Sequence, residues 1–254
     1  MATNAAHSLR EECEVRNGRR LVIEFQGGGE RFAGILLLPD RPAPVPGALL
    51  LHGFGLDKER MSAVAGSALL GCGVASLALD LPLHGERFGG VKLAALGAPF
   101  ELLRRWRGAL GECALALEHL AARREIDPGR VGLVGYSLGA FLGLKVASQE
   151  RSVRAVVVAA GGDLPDYVPF AGMVRAVADP LRLVRALAGR PLLVVHGRYD
   201  RTIPAELAER LYDAAGEPKE LRWWDAGHIL PAAAIEDAAG WLAARLGVES
   251  KRNT

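Results

Sequence analysis

Ser137 stands at the centre of Gly135-Tyr136-Ser137-Leu138-Gly139, a G-x-S-x-G run in a chain of 254 residues. A serine hydroxyl is a weak nucleophile unless a histidine takes its proton and a carboxylate orients that histidine. Asp200 and His228 come later in the chain, in the order Ser, Asp, His that one class of such sites uses. The chemistry implied is attack on an acyl carbonyl, an acyl-enzyme, and release by water. Two backbone N–H groups must then face the oxyanion. Leu138, directly after the serine, and Phe54, in His52-Gly53-Phe54-Gly55, stand where those donors are expected. Two other carboxylates compete with Asp200. Asp225 lies three residues before His228, and Asp163 follows an earlier apolar run. The polar, turn-prone loop after residue 195 makes Asp200 the expected acid.

These residues need elements to carry them. Apolar runs at residues 48–51, 74–79, 131–135, 153–159, 192–195 and 220–224 read as strands, mostly continuous as in a buried parallel sheet. Runs at 21–25 and 31–38 flank a Gly-rich turn and read as a hairpin. Helical patterns fill 57–70, 99–124, 138–148, 173–187, 204–215 and 231–246. Alternation of this kind predicts an α/β domain with a mostly parallel sheet of about eight strands, covered by helices on both faces. Residues 1–19 read as a polar lead, residues 20–254 as a single domain, and 160–190 as a short cap-like excursion. Ligands of such sheets bind past the carboxyl ends of the strands. Ser137, Phe54, Asp200 and His228 all follow predicted strands.

Composition narrows the partners. Lysines and arginines number 31 against 29 acidic residues, and the two signs are mixed along the chain. No basic stripe suggests nucleic acid or a membrane surface. No apolar run reaches the length of a membrane span, and the first twenty residues hold no apolar signal region. Cys13, Cys72 and Cys113 are odd in number and widely spaced, which argues against a disulfide framework or a zinc site. A cytoplasmic protein is the expectation, and the sequence sets no oligomeric state.

Together, His52-Gly53-Phe54-Gly55, Asp80-Leu81-Pro82-Leu83-His84-Gly85, the elbow run, His196-Gly197-Arg198-Tyr199-Asp200 and Gly227-His228 resemble the α/β-hydrolase superfamily across about residues 20–246. Asp127-Pro128-Gly129-Arg130-Val131 before the elbow is similar to the dienelactone-hydrolase and prolyl-oligopeptidase-like branches, although Ser137 replaces the cysteine of dienelactone hydrolases. The resemblance implies an α/β-hydrolase fold and a serine esterase for small or medium acyl groups, with no metal or organic cofactor. A thioesterase or acyl transferase would use the same triad. A non-catalytic binding protein on this scaffold would carry an eroded one. The excursion offers Leu164, Tyr167, Phe170 and Met173 to a substrate pocket, and His84 could face the same cleft, with Glu86 nearby. Loop-fixing hydrogen bonds are the plainer role for His84 and Glu86.

Overall fold

The computed structural model describes residues 7–27, 30–87, 99–166, 168, 171–187 and 189–248. Nine strands form one sheet: β1 (His7–Val15), β2 (Gly18–Gly27), β3 (Glu30–Pro39), β4 (Val45–Leu51), β5 (Ala75–Leu79), β6 (Ile126–Tyr136), β7 (Val153–Ala159), β8 (Leu192–Gly197) and β9 (Lys219–Trp224). Their order is β1-β2-β3-β5-β4-β6-β7-β8-β9. The first three strands are antiparallel and join the rest through β3 and β5. From β5 to β9 all pairings are parallel. The carboxyl ends of β4, β6, β8 and β9 therefore share one rim.

Side chains alternate between the two faces of the strands, so each parallel strand feeds two cores. Leu49, Leu51, Leu133, Val156, Val158 and Val194 pack towards α3 (Pro99–Ala122), α4 (Leu138–Gln149) and α7 (Ala205–Ala214). Ala48, Leu50, Val134, Val157, Leu193 and Val195 face the opposite way. They meet α1 (Lys58–Met61), α2 (Ser67–Cys72) and α8 (Ala232–Arg245). Burial on both faces explains why these strands are apolar without interruption.

The structure departs from the sequence reading in three places. Residues 7–15 of the expected polar lead form β1, the ninth strand. Its residues are exposed except for the half-buried Val15, so it shows no apolar alternation. It is held by its ladder to β2 and by pairs such as Arg19–Glu12 at 2.6 Å. A charged outer strand also discourages edge-to-edge association. The second departure lies at Ser62–Gly66, a π-helical turn set between α1 and α2. The third is in the excursion, where one expected helix is two, α5 (Ala171–Ala178) and α6 (Pro180–Arg185). Pro180 has no N–H and disfavours a helical residue before it. Asp179 is extended and caps the new helix through the Leu181 amide at 3.1 Å.

His119 of α3 is buried, edge-on to Phe25 at 5.3 Å and to His7 at 4.4 Å. Burial first, then the neighbouring His7 and Arg123, push its pKa from 6.5 down to about 4, against a smaller pull from Glu125. The folded protein thus binds fewer protons here than the unfolded chain. The stabilisation is whole above about pH 6.5 and is lost as the pH falls towards 4, on the order of 3 kcal/mol in all. His119→Phe should flatten the acid limb of a stability–pH curve measured by urea unfolding. An unchanged slope in the variant would rule the effect out.

Candidate active site

β6 ends at Tyr136 and α4 begins at Leu138, so Ser137 alone makes the turn. Its backbone has φ 51° and ψ −112°. Such a conformation is strained for a residue bearing a Cβ, and persists only where the surroundings enforce it. Here they do. A Cβ on Gly139 would overlap the carbonyl oxygens of Leu51 and His52, and one on Gly135 would overlap the backbone of Gly139 and Ala140. The Ser137 N–H also donates to the Ala159 carbonyl at 2.9 Å. Helix α4 is thereby pressed against the ends of β4 and β6. The Ser137 side chain makes no capping bond to its own helix.

The hydroxyl meets His228 instead. Ser137 Oγ lies 2.9 Å from His228 Nε2, and His228 Nδ1 lies 2.8 Å from Asp200 Oδ2. Asp200 Oδ1 accepts the amides of Thr202 at 2.8 Å and Ile203 at 2.9 Å. That turn fixes the carboxylate, which is wholly buried. Buried His196 donates from Nε2 to the Ile203 carbonyl at 2.8 Å and lies 3.4 Å from Asp200 Oδ2. Burial lowers the pKa of His196, so it stays neutral beside the acid. Two backbone bonds, Arg198 to Trp224 and Tyr199 to Ala226, tie the acid loop to the histidine loop. They run so close that a Cβ on Gly197 would strike the Ala226 and Gly227 carbonyls. The Tyr136 hydroxyl donates to the His228 carbonyl at 2.6 Å and accepts the Leu230 amide at 3.0 Å.

Across the cleft lies the loop after β4. A Cβ on Gly53 would stand 3.3 Å from Ser137 Cβ and from the Tyr136 ring, so this backbone abuts the elbow. Leu138 opens α4, where first-turn amides have no intrahelical partner. Phe54 is two-thirds exposed, 66%. Buried His52 holds the loop. Its Nε2 accepts the Leu81 amide at 3.0 Å, so Nδ1 carries the proton and donates to the Gly53 carbonyl at 2.8 Å. Burial lowers its pKa, in keeping with this neutral tautomer.

Beneath that loop the wholly buried Asp80 accepts from Lys58 Nζ at 2.8 Å, the Lys58 amide at 2.9 Å and the Glu86 amide at 3.1 Å. Lys58 Nζ also binds Glu86 at 2.8 Å. Burial works against the Lys58 ammonium, yet the two carboxylates outweigh it and its pKa is raised. Gly85, at φ 55°, is required here because a Cβ would enter the Asp80 carboxylate. Glu86 is thus a loop-fixing ion-pair partner. His84 donates from Nδ1 to the Pro82 carbonyl at 2.9 Å, with its ring against His52 and Phe54.

Neither rival carboxylate reaches the histidine. Asp163 is held by Arg175 at 2.7 and 3.1 Å and by the Leu164 amide. Asp225 is exposed and lies 3.4 Å from Arg198. Of the expected pocket residues, Leu164 is buried and Met173 half-buried, while Tyr167 and Phe170 lie outside the described residues. The apolar cavity beside the site is lined by neither Leu164 nor Met173, but by residues on the α8 side of the sheet. The supporting roles of Tyr136, His196, Lys58 and Asp80 were absent from the sequence reading. Only the turn at Asp200 had a local signal, an aspartate placed to accept amides two and three residues on.

The packing at the elbow sets a direct expectation. Gly139→Ala should lower stability by about 1–3 kcal/mol or more, because a carbonyl backbone cannot yield to the new Cβ. Gly172→Ala, in α5 with open space around it, should be neutral or mildly stabilising. Thermal unfolding of the two variants checks this, and equal effects would refute it.

Residues 48–246 match the model of the Alpha/beta hydrolase family. The uncharacterized protein Rv2307c of Mycobacterium tuberculosis is 29% identical over 208 residues, covering 80% of this chain and 69% of its own. The putative esterase YitV of Bacillus subtilis is 25% identical over 84% of this chain and 94% of its own. Acetyl xylan esterase 1 of Thermoanaerobacterium shares the fold with a TM-score of 0.77, at 18% identity over 96% of this chain and 89% of its own. With the family match spanning most of the sheet and the whole elbow, the chain belongs to the α/β-hydrolase family.

Proposed function

We propose that this protein is a serine hydrolase of carboxylic esters with small or medium acyl groups. The reading rests on the continuous hydrogen-bonded path from Ser137 Oγ through His228 to Asp200. Asp200 accepts two amides on its other oxygen, which fixes the carboxylate in the orientation that meets His228 Nδ1. His228 then carries its proton on Nδ1 and leaves Nε2 free to act as base. As Ser137 Oγ attacks the acyl carbon, Nε2 takes the hydroxyl proton, and the Leu138 and Phe54 amides receive the oxyanion. Each such donor is commonly worth roughly 3 kcal/mol in the transition state. His228 returns the proton to the departing alcohol, and the same base activates the water that frees the acid. Esterase relatives support this substrate class.

Ser137→Ala should fold normally and lose ester hydrolysis by about 10⁴-fold or more, because the three residues act as a unit. A fluorophosphonate probe should label Ser137 alone. Asp200→Asn should cost kcat about 10⁴-fold through the wrong histidine tautomer. Asp163→Asn and Asp225→Asn should cost far less. Steady-state hydrolysis of a chromogenic acetate ester separates these outcomes. If Asp163→Asn were the crippling change, the assignment of the acid would fail.

A further inference from the structure

An apolar cavity of about 180 Å³ opens beside the site, on the α8 face of the sheet. Its floor is Val157 and Ala159 of β7, buried almost completely. Its walls come from Val64 and Ala65 of the π-helical turn and from Ala238 and Ala239 of α8. Leu56 and Ile229 also line it, and both are exposed, so the mouth lies between them. Leu56 is the residue after Gly55 of the loop that follows β4, and Ile229 is the residue after His228. The Tyr136 ring, next to Ser137, forms part of the wall. Arg60 is the one charged residue of the lining.

The surface around the mouth matches it. Among the described residues five large apolar side chains are exposed: Leu9, Phe54, Leu56, Tyr199 and Ile229. Four of them stand on the loops that carry the candidate site residues. Phe54 and Leu56 lie on the loop after β4, Tyr199 precedes Asp200, and Ile229 follows His228. Scattered single apolar residues need no explanation, but a cluster around a concave site marks a binding surface. A π-helical turn widens a helix locally and is often found at functional sites. Here it stands at the cavity wall.

We propose that this cavity is the specificity subsite for one apolar arm of the ester, an alkyl or aryl group of about six carbons. A dry apolar cavity of about 150 Å³ suffices to hold benzene, which sets the size. The small residues of α8 and the π turn leave the room, and Leu56 and Ile229 guide the arm in. The inference rests on the reading of Ser137 as nucleophile. It moves the recognition of the substrate away from the excursion at 160–190 and onto the opposite face of the sheet.

Two ester series identify which arm enters. In the first, the acyl group of p-nitrophenyl esters lengthens from acetate to decanoate. In the second, the alcohol of alkyl acetates lengthens over the same range. In one series kcat/KM should rise by up to about fourfold per methylene until about six carbons are housed, then level off. Ala238→Phe should abolish that rise, read as the ratio of kcat/KM between the longer and the shortest ester of the series. Because Ala238 is buried and the variant could fail to fold, Ile229→Ser at the exposed mouth gives an independent arm, and should blunt the rise by several-fold. Binding of 1-hexanol to Ser137→Ala, followed by NMR, should disappear in the Ser137→Ala/Ala238→Phe double variant. Flat dependence on length in both series overturns the subsite, as does a dependence that neither variant alters, or absence of hexanol binding at the cavity. If Ser137→Ala retains hydrolysis, the nucleophile assignment falls instead, and the hexanol measurement still decides the cavity.

Discussion

The close approach of Gly139 to the end of β4 is the constraint on which the site depends. Helix α4 can begin where it does only because residues 135 and 139 have no side chains. That contact forces the turn at Ser137, and the turn lifts its hydroxyl out of the sheet towards His228. The loop after β4 then abuts the elbow through Gly53. Displacing α4 outward would relax the serine backbone, lengthen the bond to His228 and draw the Leu138 amide away from the loop that carries Phe54. One steric fact thus sets three positions that the proposed acyl chemistry requires.

The other half of the cleft is held by charge and not by close packing. Asp80, wholly buried, gathers Lys58, two backbone amides and, through Lys58, Glu86. Desolvation offsets most of the attraction in such a buried pair, so it adds little to net stability relative to an apolar replacement. Its geometric effect is larger. Lys58 opens α1, directly after the loop from β4, and Asp80 directly follows β5. With His52 bonded to the Leu81 amide, the pair locks these two loops together beneath Phe54. Removing one partner would leave a buried charge unmatched and free both loops at once.

Much of this was legible in the sequence because strong local patterns carried it. Continuous apolar strands and the glycines around Ser137 encode the sheet and the elbow directly. The positions of Asp200 and His228 after strands mark them as candidates, and the structure joins Asp200 to His228 and His228 to Ser137. β1 was not legible because a two-residue alternation requires one buried face, and its residues are almost all exposed. The π turn leaves no mark in composition, and the break at Pro180 was outweighed by the apolar periodicity around it. Tyr136 reads only as a member of the elbow run, and Lys58 only as part of the helical pattern at 57–70. Their partners, His228 and Asp80, lie 92 and 22 residues away, and no local pattern announces so distant a bond. The expectation of a pocket under the excursion followed its apolar residues, whereas the cavity arises from small residues on α8 and the π turn.

The hydroxyl of Tyr136 grips the backbone of the histidine loop on both sides of Ile229. Tyr136 is also the last residue of β6 and the chain neighbour of Ser137. Ser137 and His228 are therefore both referenced to the same strand, although they lie 91 positions apart in the chain. When the rim of the sheet flexes, the two move in common. The shared anchor favours keeping their 2.9 Å separation under such a motion, as two instruments on a single bench keep their alignment when the floor shakes.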